Sequence, residues 1–199
     1  MVEFDAVARF HGHVCPGLAF GYRVATCALE ELGLVRAHDE ELVAICENHS
    51  CAVDAIQVVT GCTAGKGNLF FREVGKQVYT LIRRESGEAV RLAVIWEPPS
   101  ESEEARLAWE AFAAGSRDPQ VVRRVRLRKA EKVKAILAAE PSELFRISRP
   151  AMTLPPPAQV HASLRCDVCG EKVMAPMASR RDGRLLCRPC DGVGEVVAP

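Results

Sequence analysis

Two histidines and a cysteine at alternate positions near the N-terminus are the residues of this chain best suited to chemistry. They lie in the segment Phe10-His11-Gly12-His13-Val14-Cys15-Pro16-Gly17. In an extended segment, side chains two residues apart point the same way, so we expect His11, His13 and Cys15 to converge. Pro16 suits the first position of a helix, and Cys15 would then lie at a helix N-terminus, where the dipole favours a thiolate. The segment predicts a metal site or a nucleophile.

Three further residues are candidate companions of this segment, namely Cys51, Asp54 and Cys62. Cys51 follows a predicted strand and precedes a predicted helix, a position where α/β folds bind ligands and where the helix N-terminus favours a thiolate. Asp54 lies on that helix, and Cys62 follows it within the glycine-rich loop 61–68. His49 is either a supporting group or part of a plain loop. The thiols, imidazoles and carboxylate exceed what one transition metal needs, and a catalytic site would leave one position for water or substrate.

The glycine-rich loop differs from a phosphate-binding P-loop. Three residues separate Gly61 from Gly65, where a P-loop has four, and Gly67 follows Lys66, where a P-loop has Ser or Thr. These differences exclude nucleotide hydrolysis by this loop. We expect its backbone N–H groups and the Lys66 side chain to contact an anionic substrate or cofactor.

A second group of cysteines lies near the C-terminus. Its members form two Cys-x-x-Cys pairs with seventeen residues between the pairs: Cys166, Cys169, Cys187 and Cys190. Four thiolates suit tetrahedral zinc, with iron as the alternative, and they leave no open coordination position for catalysis. A segment this short buries too little apolar surface for a core of its own, so the metal would supply much of its folding energy.

The elements that position these groups are predicted from apolar spacing and from Gly and Pro. The predicted helices cover 18–32, 52–60, 100–114 and 119–140, and the predicted strands cover 42–46, 77–84 and 89–96. A capping box at Ser100 and Glu103 would begin the third helix. Prolines cluster around residues 150–157, which predicts an extended linker. The predicted organisation is a core domain over 1–148, a linker over 149–163 and a zinc-finger domain over 164–199.

Composition and charge narrow the class of protein. The 199 residues carry no net charge, so no global field favours nucleic acid or an anionic membrane as a partner. No apolar run approaches the roughly 18 residues of a membrane-spanning helix, and the N-terminus lacks the pattern of a signal peptide. We expect a cytoplasmic protein with reduced thiols. Nine cysteines then point to metal ligation or thiol chemistry, with buried inert cysteine as the alternative.

Three segments, 10–17, 51–57 and 61–68, together resemble the FmdE family. Its members are named for the FmdE component of formylmethanofuran dehydrogenase, the molybdenum or tungsten enzyme of methanogenesis. The resemblance covers roughly residues 5–140. It implies an α+β core of mixed helix and sheet, a C-terminal treble-clef zinc finger, a metal at the Cys/His cluster and a homodimer. It does not imply formylmethanofuran oxidation by this chain, because the FmdE component does not hold the molybdenum or tungsten centre.

The first functional hypothesis is a metal-dependent protein of one-carbon or redox metabolism that acts on a small molecule. The core ion would be Zn, Ni or Fe, and its ligands would be His13, Cys51 and Cys62. His11 and Asp54 would orient a ligand or move protons, and Cys15 would be a fourth ligand or a nucleophile. The alternatives are an accessory or regulatory protein that docks on a larger oxidoreductase, and a metal-delivery protein. Whether the chain is an enzyme stays open.

Overall fold

A five-stranded mixed sheet with helices on one face forms the larger part of the protein. The computed structural model describes residues 2–192, and these divide into two units with the boundary between Pro157 and Ala158. This boundary falls inside the predicted linker, 149–163. The first residue of the predicted core and the last seven of the predicted zinc-finger domain, 193–199, lie outside the described residues.

The larger unit contains six helices and five strands among its described residues. The helices are α1 (Phe4–His11), α2 (Pro16–Leu32), α3 (Ala52–Thr60), α4 (Glu103–Ala113), α5 (Pro119–Ala138) and α6 (Pro141–Leu144). The strands are β1 (Leu42–Cys46), β2 (Leu69–Phe71), β3 (Val78–Arg83), β4 (Ala89–Val94) and β5 (Phe145–Ser148). The sheet order is β2-β1-β3-β4-β5, in which β1 and β2 are parallel and the other pairs are antiparallel. The predicted α+β class is confirmed.

Both faces of the central strand β1 are buried. Alternate residues point to opposite faces of a strand. Three of them pack in the core against the helices: Leu42, Ala44 and Cys46. The other two, Val43 and Ile45, form a second apolar cluster on the opposite face, against which Met152 and Leu154 pack. Part of the predicted linker therefore packs on the sheet face opposite the helices.

Local sequence signals determine several element ends. Strand β1 and helix α3 have the predicted bounds, and Gly33 and Gly61 follow α2 and α3 in the left-handed conformation that favours glycine. The capping-box prediction for α4 is wrong in position. Ser102, not Ser100, caps this helix, because its Oγ accepts a hydrogen bond from the Ala105 N–H at 3.2 Å.

Three further expectations differ from the structure. The segment around His11 is not an extended strand, because α1 ends at that residue. The strands β2 and β5 were not predicted, since three or four residues carry little periodic signal. Pro141 starts the short helix α6 as well as following the end of α5.

The smaller unit, described over residues 158–192, consists of two antiparallel hairpins and one 3₁₀ turn. Strands β6 (Ser163–Arg165) and β7 (Lys172–Met174) form the first hairpin. Strands β8 (Ala178–Arg181) and β9 (Arg184–Cys187) form the second. Among the described residues of the chain, no helix has the length and apolarity that crossing a bilayer requires.

Candidate functional site

The corner between α1 and α2 brings His11, His13 and Cys15 together. His11 is the last residue of α1. Gly12 follows with a backbone φ of 89°, a conformation that residues other than glycine rarely adopt. The chain then reverses, and Cys15 becomes the N-cap of α2, directly before Pro16. The predicted convergence of the three side chains is therefore correct, but a left-handed turn between two helices produces it.

The ligand atoms of the three residues lie within 4.8 Å of one another. The Nε2 atom of His11 is 3.9 Å from the Sγ atom of Cys15, and the imidazole centroids of His11 and His13 are 4.4 Å apart. The Leu18 backbone N–H donates to the Cys15 sulfur at 3.4 Å. Two imidazoles and a thiol at these separations are suited to hold a transition metal.

Asp54 supports this group from helix α3. Its Oδ2 atom is 2.7 Å from Nδ1 of His11, and its Oδ1 accepts a hydrogen bond of 3.5 Å from the Gln57 side chain. A carboxylate on one imidazole nitrogen orients the ring and leaves the other nitrogen available for a metal. In this structure that other nitrogen, Nε2, is the one beside Cys15.

Cys51 lies at the start of α3, next to the same group. Burial raises the pKa of the Cys51 thiol, and a hydrogen bond with the Cys15 thiol adds to the increase. The N-terminus of α3 favours a thiolate at Cys51, but desolvation by burial is the larger effect on this pKa when no metal ion is bound. A bound cation would reverse this balance, since thiolates are the form that binds metal.

An open pocket of about 390 Å³ adjoins the group. Its lining residues are His11, His49, Ser50, Cys51, Val53, Asp54 and Phe71. They come from the end of α1, the start of α3 and the carboxyl ends of the parallel strands β1 and β2. Ligands bind at such strand ends in open sheets. A small molecule bound in this pocket would therefore lie beside the His11, Cys51 and Asp54 side chains.

The structure does not bring Cys62 to this group. Cys62 is fully buried, and its N–H donates to the Thr60 hydroxyl. Helix α3 separates it from Cys51, and its nine residues span about 13 Å at 1.5 Å per residue. Burial raises the pKa of the Cys62 thiol, and the nearby Cys46 is also buried. This geometry favours packing for Cys62 over the ligand role proposed from the sequence.

Lys66 is engaged elsewhere in the glycine-rich loop. Its Nζ atom donates to the backbone oxygens of His38 and Asp39, at 3.4 and 2.9 Å. The buried Asn68 side chain accepts from the Thr63 N–H and donates to the Leu42 oxygen. The loop is therefore held to the chain before β1, and Lys66 does not line the pocket.

Sequence reasoning missed Phe71 and Ser50 as pocket residues and left His49 undecided. Phe71 reaches the pocket because β2 pairs with β1 in parallel, with Cys46 opposite Phe71. The rings of His49 and Phe71 stack at 4.3 Å with an angle of 14° between their planes. A three-residue strand gives no pattern from which its partner can be inferred, so only the fold reveals this pair.

The four C-terminal cysteines form the second group that can hold a metal ion. Their sulfur atoms lie within 4.8 Å of one another, as the Cys-x-x-Cys spacing predicts, and the set is compatible with a zinc finger. The Cys187 N–H donates to the Cys166 sulfur at 3.4 Å. Backbone N–H groups of Cys169, Cys187 and Val168 lower the pKa of Cys166 to about 6. These donors stabilise negative charge on sulfur, which metal binding requires.

Polar side chains support this second group. The Asp167 carboxylate accepts a hydrogen bond from the Leu185 N–H at 2.6 Å, which joins the first pair of cysteines to β9. Asp191 follows the last cysteine, and its carboxylate accepts from the Ser179 hydroxyl at 2.7 Å. The Asp191 carboxylate also forms an ion pair of 3.0 Å with Arg181.

Comparisons with known proteins agree with this architecture. The FmdE family model, described as "Molybdenum formylmethanofuran dehydrogenase operon", matches residues 10–146. A probable S-adenosyl-L-methionine-binding protein of Archaeoglobus fulgidus is 31% identical over 196 residues. The match covers 92% of this chain but only 51% of that protein, so the chain spans about half the length of this relative.

A solved structure provides a separate comparison of the fold. It is a tungsten formylmethanofuran dehydrogenase FmdE-like protein from Syntrophus aciditrophicus, with a TM-score of 0.62 and 21% sequence identity. The alignment covers 97% of this chain and 92% of that chain. The low identity limits this likeness to the fold, whereas the family model covers well over half of the sequence. The chain belongs to the FmdE family.

Proposed function

We propose that this FmdE-family protein binds a metal ion at the corner of α1 and α2 and acts there on a small molecule of one-carbon or redox metabolism. The observation that carries the proposal is the convergence of His11, His13 and Cys15 within 4.8 Å beside an open pocket. Three protein ligands leave a coordination position for water or substrate, which distinguishes a catalytic site from a structural one. Zn, Ni and Fe all suit this mixed set of nitrogen and sulfur donors.

Each residue of this site would have a separate role in binding the metal or moving a proton. His11 would bind through Nε2, because Asp54 already holds its Nδ1. His13 and Cys15 would complete the set, with Cys51 available as a fourth ligand or nucleophile. Asp54 would hold or move a proton at the His11 ring, next to the pocket. The metal itself would supply Lewis acidity toward an oxygen of the substrate.

The C-terminal group would hold a structural zinc ion. Its four sulfurs lie within 4.8 Å of one another and would fill a tetrahedral coordination sphere without an open position. Few side chains of this unit are buried, namely Cys166, Leu186 and Cys187 among the described residues. A unit with so little buried apolar surface needs the metal for its stability.

Two alternatives assign another role to the same sites. As an accessory or regulatory protein, the chain would dock on a larger oxidoreductase, for which the family's association with formylmethanofuran dehydrogenase is the support. As a metal-delivery protein, it would hold the core ion only transiently.

An ion that survives dialysis argues against delivery. Capture of a larger enzyme that is lost when residues after Pro157 are removed favours docking. Light scattering tests the homodimer that the family suggests.

S-adenosylmethionine is a second candidate ligand. Its support is the Archaeoglobus fulgidus relative, a probable S-adenosyl-L-methionine-binding protein, with which 92% of this chain aligns at 31% identity. Half of that relative lies outside the match, so the ligand could belong to the other half. Equilibrium dialysis with S-adenosylmethionine tests the assignment, and absence of saturable binding to this chain rejects it.

Metal content per chain tests the main proposal. We expect two ions per wild-type chain after dialysis and one in His13→Ala, measured by inductively coupled plasma mass spectrometry. His38→Ala is the matched control, because His38 is exposed and lies outside the cluster.

Cys15→Ser should also lose one ion, and Cys51→Ser should abolish turnover without unfolding the protein. A single ion per wild-type chain, retained in every N-terminal variant, would contradict the proposal.

A further inference from the structure

The stacked pair of His49 and Phe71 has no evident role in packing the core. Phe71 is 39% exposed, and the His49 side chain is 53% exposed. An aromatic ring on the surface forgoes the free energy that burial would provide. Its neighbour Phe70 shows the alternative, since Phe70 packs against the apolar cluster on the second face of the sheet. Phe71 instead points to the pocket that contains His11, Cys51 and Asp54.

We infer that the His49–Phe71 pair is a stacking platform for a planar, amino-bearing heteroaromatic ring of the small molecule that enters this pocket. The inference rests on the proposed function in placing that molecule beside the metal-binding group. The two rings are nearly parallel, at 14°, and both line the pocket, so a third ring can extend the stack. Aromatic stacking of this kind accepts any planar base.

Polar groups of the pocket indicate which ring fits. The Asp54 oxygens contact His11 and the Gln57 side chain, and each keeps a second lone pair that can accept a hydrogen bond from an amino or ring N–H group. Glu73 lies 3.8 Å from Nε2 of His49 and adds negative charge at the platform. A ring with donors on its edge satisfies these acceptors, whereas a ring with only carbonyl oxygens does not.

The side-chain charges of the lining also disfavour one class of ligand. Among the described residues that line the pocket, none is Lys or Arg, and Asp54 is a carboxylate. Without the core ion of the proposed function, a phosphate group would lose hydration here with no Lys or Arg side chain to replace it. Lys66, the cation that the sequence suggested for an anion, donates to two backbone oxygens outside this lining. The side chains of the lining therefore favour a nucleoside over a nucleotide, and a volume of about 390 Å³ suits a molecule of that size.

Calorimetric titration with adenosine, adenosine 5′-monophosphate and ribose tests the platform on the full-length, metal-loaded protein. We expect saturable binding of adenosine and none of ribose. In His13→Ala, which lacks the core ion, the monophosphate should bind at least tenfold more weakly than adenosine. Phe71→Leu should weaken adenosine binding about tenfold, since the stacking surface is lost and an apolar side chain remains. Trp109→Leu is the control, because Trp109 is 40% exposed on α4 and does not line the pocket.

Three results would overturn the inference: adenosine that fails to saturate the wild type at millimolar concentration, monophosphate that binds His13→Ala as tightly as adenosine does, or equal adenosine affinity in Phe71→Leu and the wild type. Metal content of the same samples separates this question from the proposed function. Loss of adenosine binding in Phe71→Leu with two ions retained supports the platform. Adenosine binding through Phe71 in a wild type without an N-terminal ion would refute the metal proposal and leave the platform standing.

Discussion

Two groups of residues in the described part of this protein can hold a metal ion, and they differ in what surrounds them. The group of His11, His13 and Cys15 lies on a core that apolar packing already stabilises, next to a pocket. The group of four cysteines lies in a unit of two short hairpins with few buried side chains. In the first group the fold positions the candidate ligands, whereas in the second we infer that a bound ion would stabilise the fold.

The difference predicts opposite consequences of metal loss. Removing the metal from the N-terminal group should remove chemistry and leave the fold, because the surrounding helices and sheet bury their own apolar surface. Removing it from the four cysteines should remove the fold of that unit and leave the core intact. Each experiment below tests one side of this contrast.

The largest effect is expected from Cys187→Ser or from a strong chelator. Structural zinc supplies on the order of 10 kcal/mol in small metal-dependent modules, so residues 158–192 should lose hydrogen-exchange protection while the larger unit keeps it. Mass spectrometry of exchanged peptides measures both units in one sample. Ser163→Ala, exposed on β6, serves as the control. Persistent protection of the smaller unit without metal would mean that its stability has another source.

Gly21→Ala should disrupt the core that positions the N-terminal group. A Cβ at Gly21 would lie 2.3 Å from the backbone oxygen of Ala52, so α2 and α3 would have to separate. We expect a loss of about 3 kcal/mol in unfolding free energy. Urea unfolding followed by tryptophan fluorescence reports on the larger unit, which contains Trp96 and Trp109.

The control for this change is Gly65→Ala. No atom lies within 4 Å of a Cβ built at Gly65, so this substitution should leave the stability nearly unchanged. The separation of α2 and α3 would also displace Cys51 and Asp54, so metal content should fall in Gly21→Ala alone. Equal urea midpoints of unfolding for Gly21→Ala and Gly65→Ala would mean that α2 and α3 can separate without a loss of stability.

Asp54→Asn should weaken metal binding at the N-terminal group without unfolding the core. Loss of a carboxylate behind a ligating histidine typically costs 10- to 100-fold in affinity. Competition with a chelating dye measures this affinity, and the four-cysteine site in the same chain provides an internal reference that should not change. Asp5→Asn, an exposed acid in the first turn of α1, is the matched control. An unchanged metal affinity of Asp54→Asn would show that Asp54 does not support metal binding at the N-terminal group.

The smallest effect concerns the reactivity of Cys51 after the N-terminal group is emptied of metal. Burial and the Cys15 thiol hold the pKa of Cys51 above its usual range, so the thiol form dominates at pH 7.5. Iodoacetamide should label Cys51 several-fold more slowly than free cysteine, with the rate rising above pH 9. Cys15→Ala should accelerate labelling at pH 7.5, as peptide mapping will report. Labelling of the wild type at the rate of free cysteine would contradict this assignment.

Sequence reasoning succeeded where neighbouring residues decide the structure. Spacing alone predicted the four-cysteine group, because each pair is local and its geometry follows from a two-residue separation. The bounds of β1 and α3 followed from apolar patterning and from Gly61. Sequence reasoning was less successful for Cys62, since a sequence motif does not show that a helix of about 13 Å separates Cys62 from Cys51.

The sequence by itself determined which residues are candidates for chemistry: two imidazoles, several thiols and Asp54. Only the tertiary structure decided which of them meet. Asp54 reaches His11 because α3 packs beside α1 and α2, and Phe71 reaches the pocket because β2 pairs in parallel with β1. The physical reason is that such contacts join residues far apart in the chain, and burial of the whole core stabilises them. A local sequence pattern does not indicate which distant residues will pack together.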